Sequence, residues 1–184
     1  YNDNHAEGNT QERTRDSIFR LIKRYTEEIS GHFNINTFYF ARKALTFFFT
    51  AMFYPVGWNI FSSYATKRKK LAEAMILKGE IDSVRKLCLD HTIILVPTHS
   101  SNLDSILVGY MVDAIAGLPA FSYGAGLNLF DSEFFAFFMN RLGAYKVDRR
   151  KKNQIYLQTL SSYSKLIAME GVHSIFFPGG TRSR

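Results

Sequence analysis

From residue 92 onward the chain alternates short β-branched or aromatic runs with stripes of helical period, and that rhythm constrains the fold more than any other feature. "TIILVP" reads as a buried strand ended by a proline. In "LDSILVGYMVDAI", Leu103, Ile106, Leu107, Tyr110, Met111 and Ala114 share one helical face. "PAFSY" reads as a weak strand, "SEFFAFFMNRL" as a helix and "AYKV" as a strand. "QIYLQTLSSYSKLIAM" aligns Tyr156, Leu160, Tyr163 and Ile167 on a helix, and "SIFF" is the last strand. Strands alternating with helices give an α/β class: a mixed β-sheet layered by helices. A chain of 184 residues buries about 70% of its unfolded surface, so no staple is needed. The lone Cys88 allows no disulfide framework, fits a reducing setting and reads as a small core residue.

The first half is organised differently. Residues 1–16 are polar and aperiodic, and read as a loose leader without a signal-peptide pattern. Residues 17–90 read as helical. In "SIFRLIKRYTEEI", Ile18, Leu21, Ile22, Tyr25 and Ile29 form a stripe with Arg20, Lys23 and Arg24 around it. Such a helix either packs on the domain or lies on a membrane surface. "ALTFFFTAMFYPVGWNIFSSYAT", Ala44 to Thr66, carries no charge and is flanked by cations at both ends. Its length matches the ~20 apolar residues a bilayer core requires. Pro55 and Gly57 interrupt it, and its aromatic content suits a membrane interface. The favoured expectation is an N-terminal helical membrane-associating segment: two short helices, broken near Pro55, dipping into one leaflet. A single span and a pair of soluble-core helices are the alternatives. "KRKKLAEAMILKGEIDSVRKLCLDH" reads as helix, turn near Gly79, helix.

Lys and Arg outnumber Asp and Glu by 23 to 16, a net charge of +7 that suits an anionic partner. A nucleic-acid binder would interleave aromatics with its basic face. Here the aromatics cluster in the uncharged run, so no nucleic-acid partner is expected. No G-x-S-x-G marks a serine hydrolase. Cys88 and His91 have a C-x-x-H spacing but no second ligand pair, so no metal is implied.

Three clusters carry chemistry, each after a strand. In "THSSNLD", Asp104 opens a helix five residues beyond His99 and can fold back onto its ring, fixing one nitrogen and leaving the other as a base. The bland alternative is a helix cap beside a loop histidine. In "GAYKVDRRKK", Arg149 begins a run of four cations at a strand end, either a solvated run or a guanidinium fork for a phosphate. In "FFPGGTRSR", Gly179 and Gly180 permit close ligand approach, while Thr181, Arg182, Ser183 and Arg184 offer hydroxyls, amides and guanidiniums.

Together, in that order, these clusters resemble the glycerolipid acyltransferases, over roughly Val96 to Arg184. The H-x-x-x-x-D block is matched by His99 and Asp104, the second block by "GAYKVDRR", the third by "FFPGGTRSR". "GLPAFSYGAGLNL" looks more like the glycerol-3-phosphate branch than the lysophosphatidate branch. The resemblance implies that residues 91–184 form the catalytic region, that His99 is the general base, that Asp104 orients it, and that Arg182 holds the acceptor phosphate. Arg149 and Arg184 would assist at the anion site, with Gly180 and Thr181 in the same loop. It implies an acyl thioester donor, acyl-coenzyme A or acyl carrier protein, as co-substrate with no separate cofactor, and a site at the cytoplasmic face of a membrane. Two departures stand out. Gly179 replaces the Glu usual in block three, which keeps lysophosphatidate and a non-catalytic phospholipid-binding relative open as alternatives. The family pattern also continues past Arg184, so further strands are expected beyond it.

Overall fold

A computed structural model of the chain describes residues 3–54, 62–98, 102–127 and 141–178. The described elements run α1 (Asp3–Ile29), α2 (Ile35–Phe53), α3 (Tyr64–Ala74), α4 (Ile81–Asp90), β1 (Ile94–Leu95), α5 (Asn102–Tyr110), β2 (Ser122–Gly126), β3 (Ala144–Val147), α6 (Gln154–Met169) and β4 (Ser174–Ile175). One π-helical turn, Met111–Ile115, prolongs α5. The strands lie in the order β1-β4-β2-β3. Every described pairing is parallel, so among the described residues the sheet is parallel and not mixed. Each parallel pair needs a crossover; among the described residues α5 lies between β1 and β2, and α6 between β3 and β4.

Strand pleating assigns the two faces. Gly124 pairs with Tyr145, and Tyr145 and Val147 stand beside it on one face. There α6 packs, with Tyr163 edge-on to Tyr145 at 5.6 Å between ring centroids. α1 in turn packs on α6 and β3. A Cβ on Gly124 would sit 3.1 Å from the Tyr145 ring and 3.1 Å from Val147 Cγ2, so any side chain there would push on both. On the other face Tyr123 pairs with Ile175. Ile175 joins Ala116, Leu118 and Phe121 in a core cluster that also takes in Val84 and Cys88 of α4. A second cluster lies among helices: Phe49 of α2, Leu71 of α3 and Tyr110 and Ala114 of the α5 region.

Local chemistry sets the helix starts. Asn34 Oδ1 accepts from Thr37 N at 2.9 Å, Ser63 Oγ from Thr66 N at 3.2 Å, and Asn153 Oδ1 from Ile155 N at 2.8 Å. These bonds satisfy amides that a helix N-terminus would leave open. α2 ends at Phe53, two residues before Pro55, as the restricted backbone ahead of a proline requires.

In the first half one expectation changes. The leader read as loose is helical from Asp3 onward. The helix runs on through a segment that has no apolar stripe. The uncharged run is interrupted where the sequence placed the break, near Pro55, and no single helix spans it. α2 starts at Ile35 and carries Arg42 and Lys43, and α3 begins at Tyr64. Among the described residues no helix is long and apolar enough to cross a membrane.

Candidate functional site

Because the four strands are parallel, their C-terminal ends share one edge of the sheet, the edge where α/β sheets bind ligands. β1 leads toward His99, β3 into Asp148, Arg149 and Arg150, and β4 into Phe176, Phe177 and Pro178 ahead of the third cluster. β1 and β4 are neighbours, with Leu95 paired to Ile175. The segments entering the first and third clusters therefore leave the sheet side by side. His99, Gly180, Thr181, Arg182 and Arg184 lie outside the described residues, as does Gly179. The expected helix "SEFFAFFMNRL" also falls outside them except at its C-terminal end.

Asp104 is half-buried in the first turn of α5. That turn directly follows the His99 segment in the chain.

Arg149 is exposed in the turn after β3, and the backbone on either side of it is pinned. The carboxylate of Asp148, itself buried, accepts from Arg150 N at 3.0 Å and from Arg150 Nε at 3.2 Å. This is a side-chain turn of the kind Asp forms with the amide two residues on. The Arg150 side chain, foremost, holds the Asp148 carboxyl below its ordinary range. On the other side, Asp148 N donates to the Tyr156 hydroxyl at 2.8 Å, and burial pushes that phenol up, so it stays neutral. Gly143, at φ +88°, turns the chain into β3 through a conformation other residues resist.

Against the Tyr123 face of the sheet lies a cavity of about 260 Å³, lined from Pro119, Phe121 and Leu142, ahead of β2 and β3, to Phe177, beyond β4. α2 contributes Ala41 and Leu45, α5 contributes Ile106 and Gly109, and Ile175 and Phe177 bring the wall to the C-terminal end of β4. Tyr123 also lines it, its phenol pushed up by burial. One ion pair interrupts the apolar wall. Arg42 Nε donates to Asp113 Oδ2 at 2.6 Å, and Arg42 Nη2 donates to Asp113 Oδ1. The Arg42 guanidinium also lies 5.3 Å from the Phe38 ring centroid and 5.2 Å from that of Tyr39. Asp113 sits in the π-helical turn, an irregularity common at functional sites. Desolvation raises its pKa even against Arg42.

Sequence reasoning singled out Asp104 and Arg149 but not Asp148, Tyr156, Arg42 or Asp113 as partners. Arg42 and Asp113 are 71 residues apart, so no local pattern joins them. Cys88 packs against the sheet-side cluster and burial pushes its thiol up, as suits a core residue.

Residues 62–184 match the family model described as Acyltransferase. A protein named glycerol-3-phosphate acyltransferase from Xylella fastidiosa is 31% identical over 113 residues, 60% of this chain and 13% of that protein. One of the same name from Pseudomonas paraeruginosa is 27% identical over 165 residues, 89% of this chain and 17% of that protein. A third, from Pseudomonas fluorescens, is 30% identical over 107 residues, 58% of this chain and 13% of its own length. The chain thus spans less than a fifth of the curated relatives it matches.

Proposed function

We propose a function from one premise: this chain belongs to the acyltransferase family, and its similar relatives carry the name glycerol-3-phosphate acyltransferase. The proposed reaction moves a fatty acyl group from a thioester, acyl-coenzyme A or acyl carrier protein, to a hydroxyl of glycerol 3-phosphate. His99 takes the hydroxyl proton as the oxygen attacks the thioester carbonyl. Asp104 holds the other ring nitrogen and favours the imidazolium that forms. The tetrahedral intermediate then expels the thiolate, which recovers the proton from His99. A positioned base of this kind contributes about 10²- to 10⁴-fold. A thiolate with an ordinary pKa of about 8.5 leaves without a dedicated acid. Amides at the start of α5 are candidate donors to the oxyanion. Arg182 holds the acceptor phosphate, assisted by Arg149, Arg184, Gly180 and Thr181.

The observation that supports this reading most is the pairing of β1 with β4. It brings the chain entering the H-x-x-x-x-D block alongside the chain entering the third block, at the ligand edge of a parallel sheet. The apolar cavity reaching Phe177 suits the acyl chain of the donor.

The membrane reading belongs here as well. Tyr39, Phe40, Phe47, Phe48, Met52 and Phe53 of α2 are exposed. α3 packs on α2 and carries the exposed Arg68, Lys69 and Lys70, while Lys67 is buried and donates to Ser62 O. Exposed aromatics beside these cations suit the surface of an anionic leaflet, at the cytoplasmic side. Gly179, in place of the usual Glu, keeps lysophosphatidate as the alternative acceptor.

Thiol release from palmitoyl-coenzyme A and from palmitoyl acyl carrier protein, by the full-length protein in lipid, tests the proposal. Release that depends on glycerol 3-phosphate supports it. Release that depends on lysophosphatidate alone moves the acceptor, and no release with either overturns the enzymatic reading.

A further inference from the structure

The cation run after β3 reads in the sequence as solvated charge, yet Lys151 is drawn inward. Its Nζ donates to both oxygens of Glu28 on α1, at 2.5 and 2.6 Å. The same ammonium lies 5.1 Å from the Tyr25 ring centroid and 5.2 Å from that of Tyr156. Those rings meet edge to face at 5.3 Å. Lys151 and Glu28 are each about two-thirds buried, with side-chain exposures of 31% and 32%. A cation enclosed by two aromatic faces and a carboxylate is held more firmly than a surface pair, because each contact is partly shielded from water.

Tyr156 links this clamp to the turn, since its hydroxyl accepts from Asp148 N while its ring flanks Lys151. Arg149 lies between Asp148 and Lys151. α1 therefore grips the turn that carries Arg149 from 123 residues away.

We infer that Glu28 and Lys151 form a positioning pair through which α1 fixes the Arg149 turn for the acceptor's phosphate. The inference rests on the reading of Arg149 as an anion contact. Neither residue touches substrate. Their effect is to hold the turn where the Arg149 guanidinium meets the phosphate without having to reorganise. Losing the clamp weakens acceptor binding and leaves the thioester and the base alone.

The test is initial-rate kinetics of the full-length protein in lipid, with glycerol 3-phosphate and palmitoyl-coenzyme A varied in turn. Lys151→Met and Glu28→Gln should each raise KM for glycerol 3-phosphate about fivefold, the scale of a partly shielded ion pair. KM for palmitoyl-coenzyme A should stay within about twofold, well under one tenfold step of binding energy. Lys151→Arg, which keeps the ion pair, should restore the acceptor KM, as should the exchange Glu28→Lys with Lys151→Glu. Equal rises in both KM values, or failure of Lys151→Arg to restore, would overturn the inference in favour of a merely structural pair. Arg149→Ala separates the two layers. If it leaves the acceptor KM unchanged, the anion-site reading fails and takes the clamp with it. If it raises that KM while Lys151→Met does not, the clamp alone fails.

Discussion

Replacing Arg42 by Met exposes how much of the cavity wall depends on one ion pair. Asp113 would keep its carboxylate in a site where its side chain is 11% exposed, with the partner gone. Breaking a buried pair from one side costs about 3–5 kcal/mol; with Arg42 at 24% exposure, about 3 kcal/mol is the better figure. For a chain of this length that lowers Tm by about 6–12 °C. The pH dependence carries the diagnosis. Desolvation already raises the Asp113 pKa above its ordinary value. The folded form therefore binds the proton more tightly than the unfolded one, and stability falls as pH rises from the unfolded toward the folded pKa. Without Arg42 the folded value climbs further and the window widens upward. Urea unfolding followed by circular dichroism should thus show a large deficit for Arg42→Met at pH 7 that shrinks toward pH 4. The double variant Arg42→Met with Asp113→Leu removes both charges and should recover to within about 1 kcal/mol of the parent. A deficit that is the same at pH 4 and pH 7, or a double variant as weak as the single one, would refute the reasoning.

Gly124→Val should destabilise by about 1–3 kcal/mol in the same unfolding measurement, because its side chain collides with Tyr145 and Val147 at the β2–β3 pairing. Tyr156→Phe removes the acceptor of Asp148 N–H and should cost about 1–3 kcal/mol while raising the acceptor KM. Gly109 lines the cavity with nothing within 4 Å of a Cβ placed on it. Gly109→Leu should therefore keep or improve stability, by about 1 kcal/mol of helix propensity. In a series of acyl donors it should shift the preference toward shorter chains, and an unchanged profile would remove the cavity from the acyl path.

The second half of the fold was legible because its signals are local. "AYKV" and "QIYLQTLSSYSKLIAM" coincide with β3 and α6 to the residue, since Gly143, the Asn153 cap and an unbroken helical stripe mark their ends. β2 was expected at "PAFSY" but lies over Ser122–Gly126. Glycines disfavour strands in isolation, and the close approach of Tyr145 and Val147 to Gly124 comes from another strand. The break ahead of Pro55 followed from backbone sterics. The helix over residues 3–16 was missed because its polar sequence has no apolar stripe to count. At the site, the three clusters were legible as chemistry in order along the chain. The pairing of β1 with β4 was not, because parallel register is settled between segments about 80 residues apart in sequence. Arg42 with Asp113, and Glu28 with Lys151, were equally hidden, each being half of a contact whose other half lies in a distant helix or turn.

The most direct test of the account is a single-turnover comparison of the full-length protein and its His99→Ala variant. Palmitoyl-coenzyme A and saturating glycerol 3-phosphate would be supplied in lipid, with acyl transfer followed by product and folding by circular dichroism. The account requires the variant to keep the parent spectrum and to lose transfer by about 10²-fold or more, the contribution of a positioned base. Transfer at the parent rate by a folded His99→Ala protein would contradict it, and with it the assignment of the first cluster as the catalytic dyad.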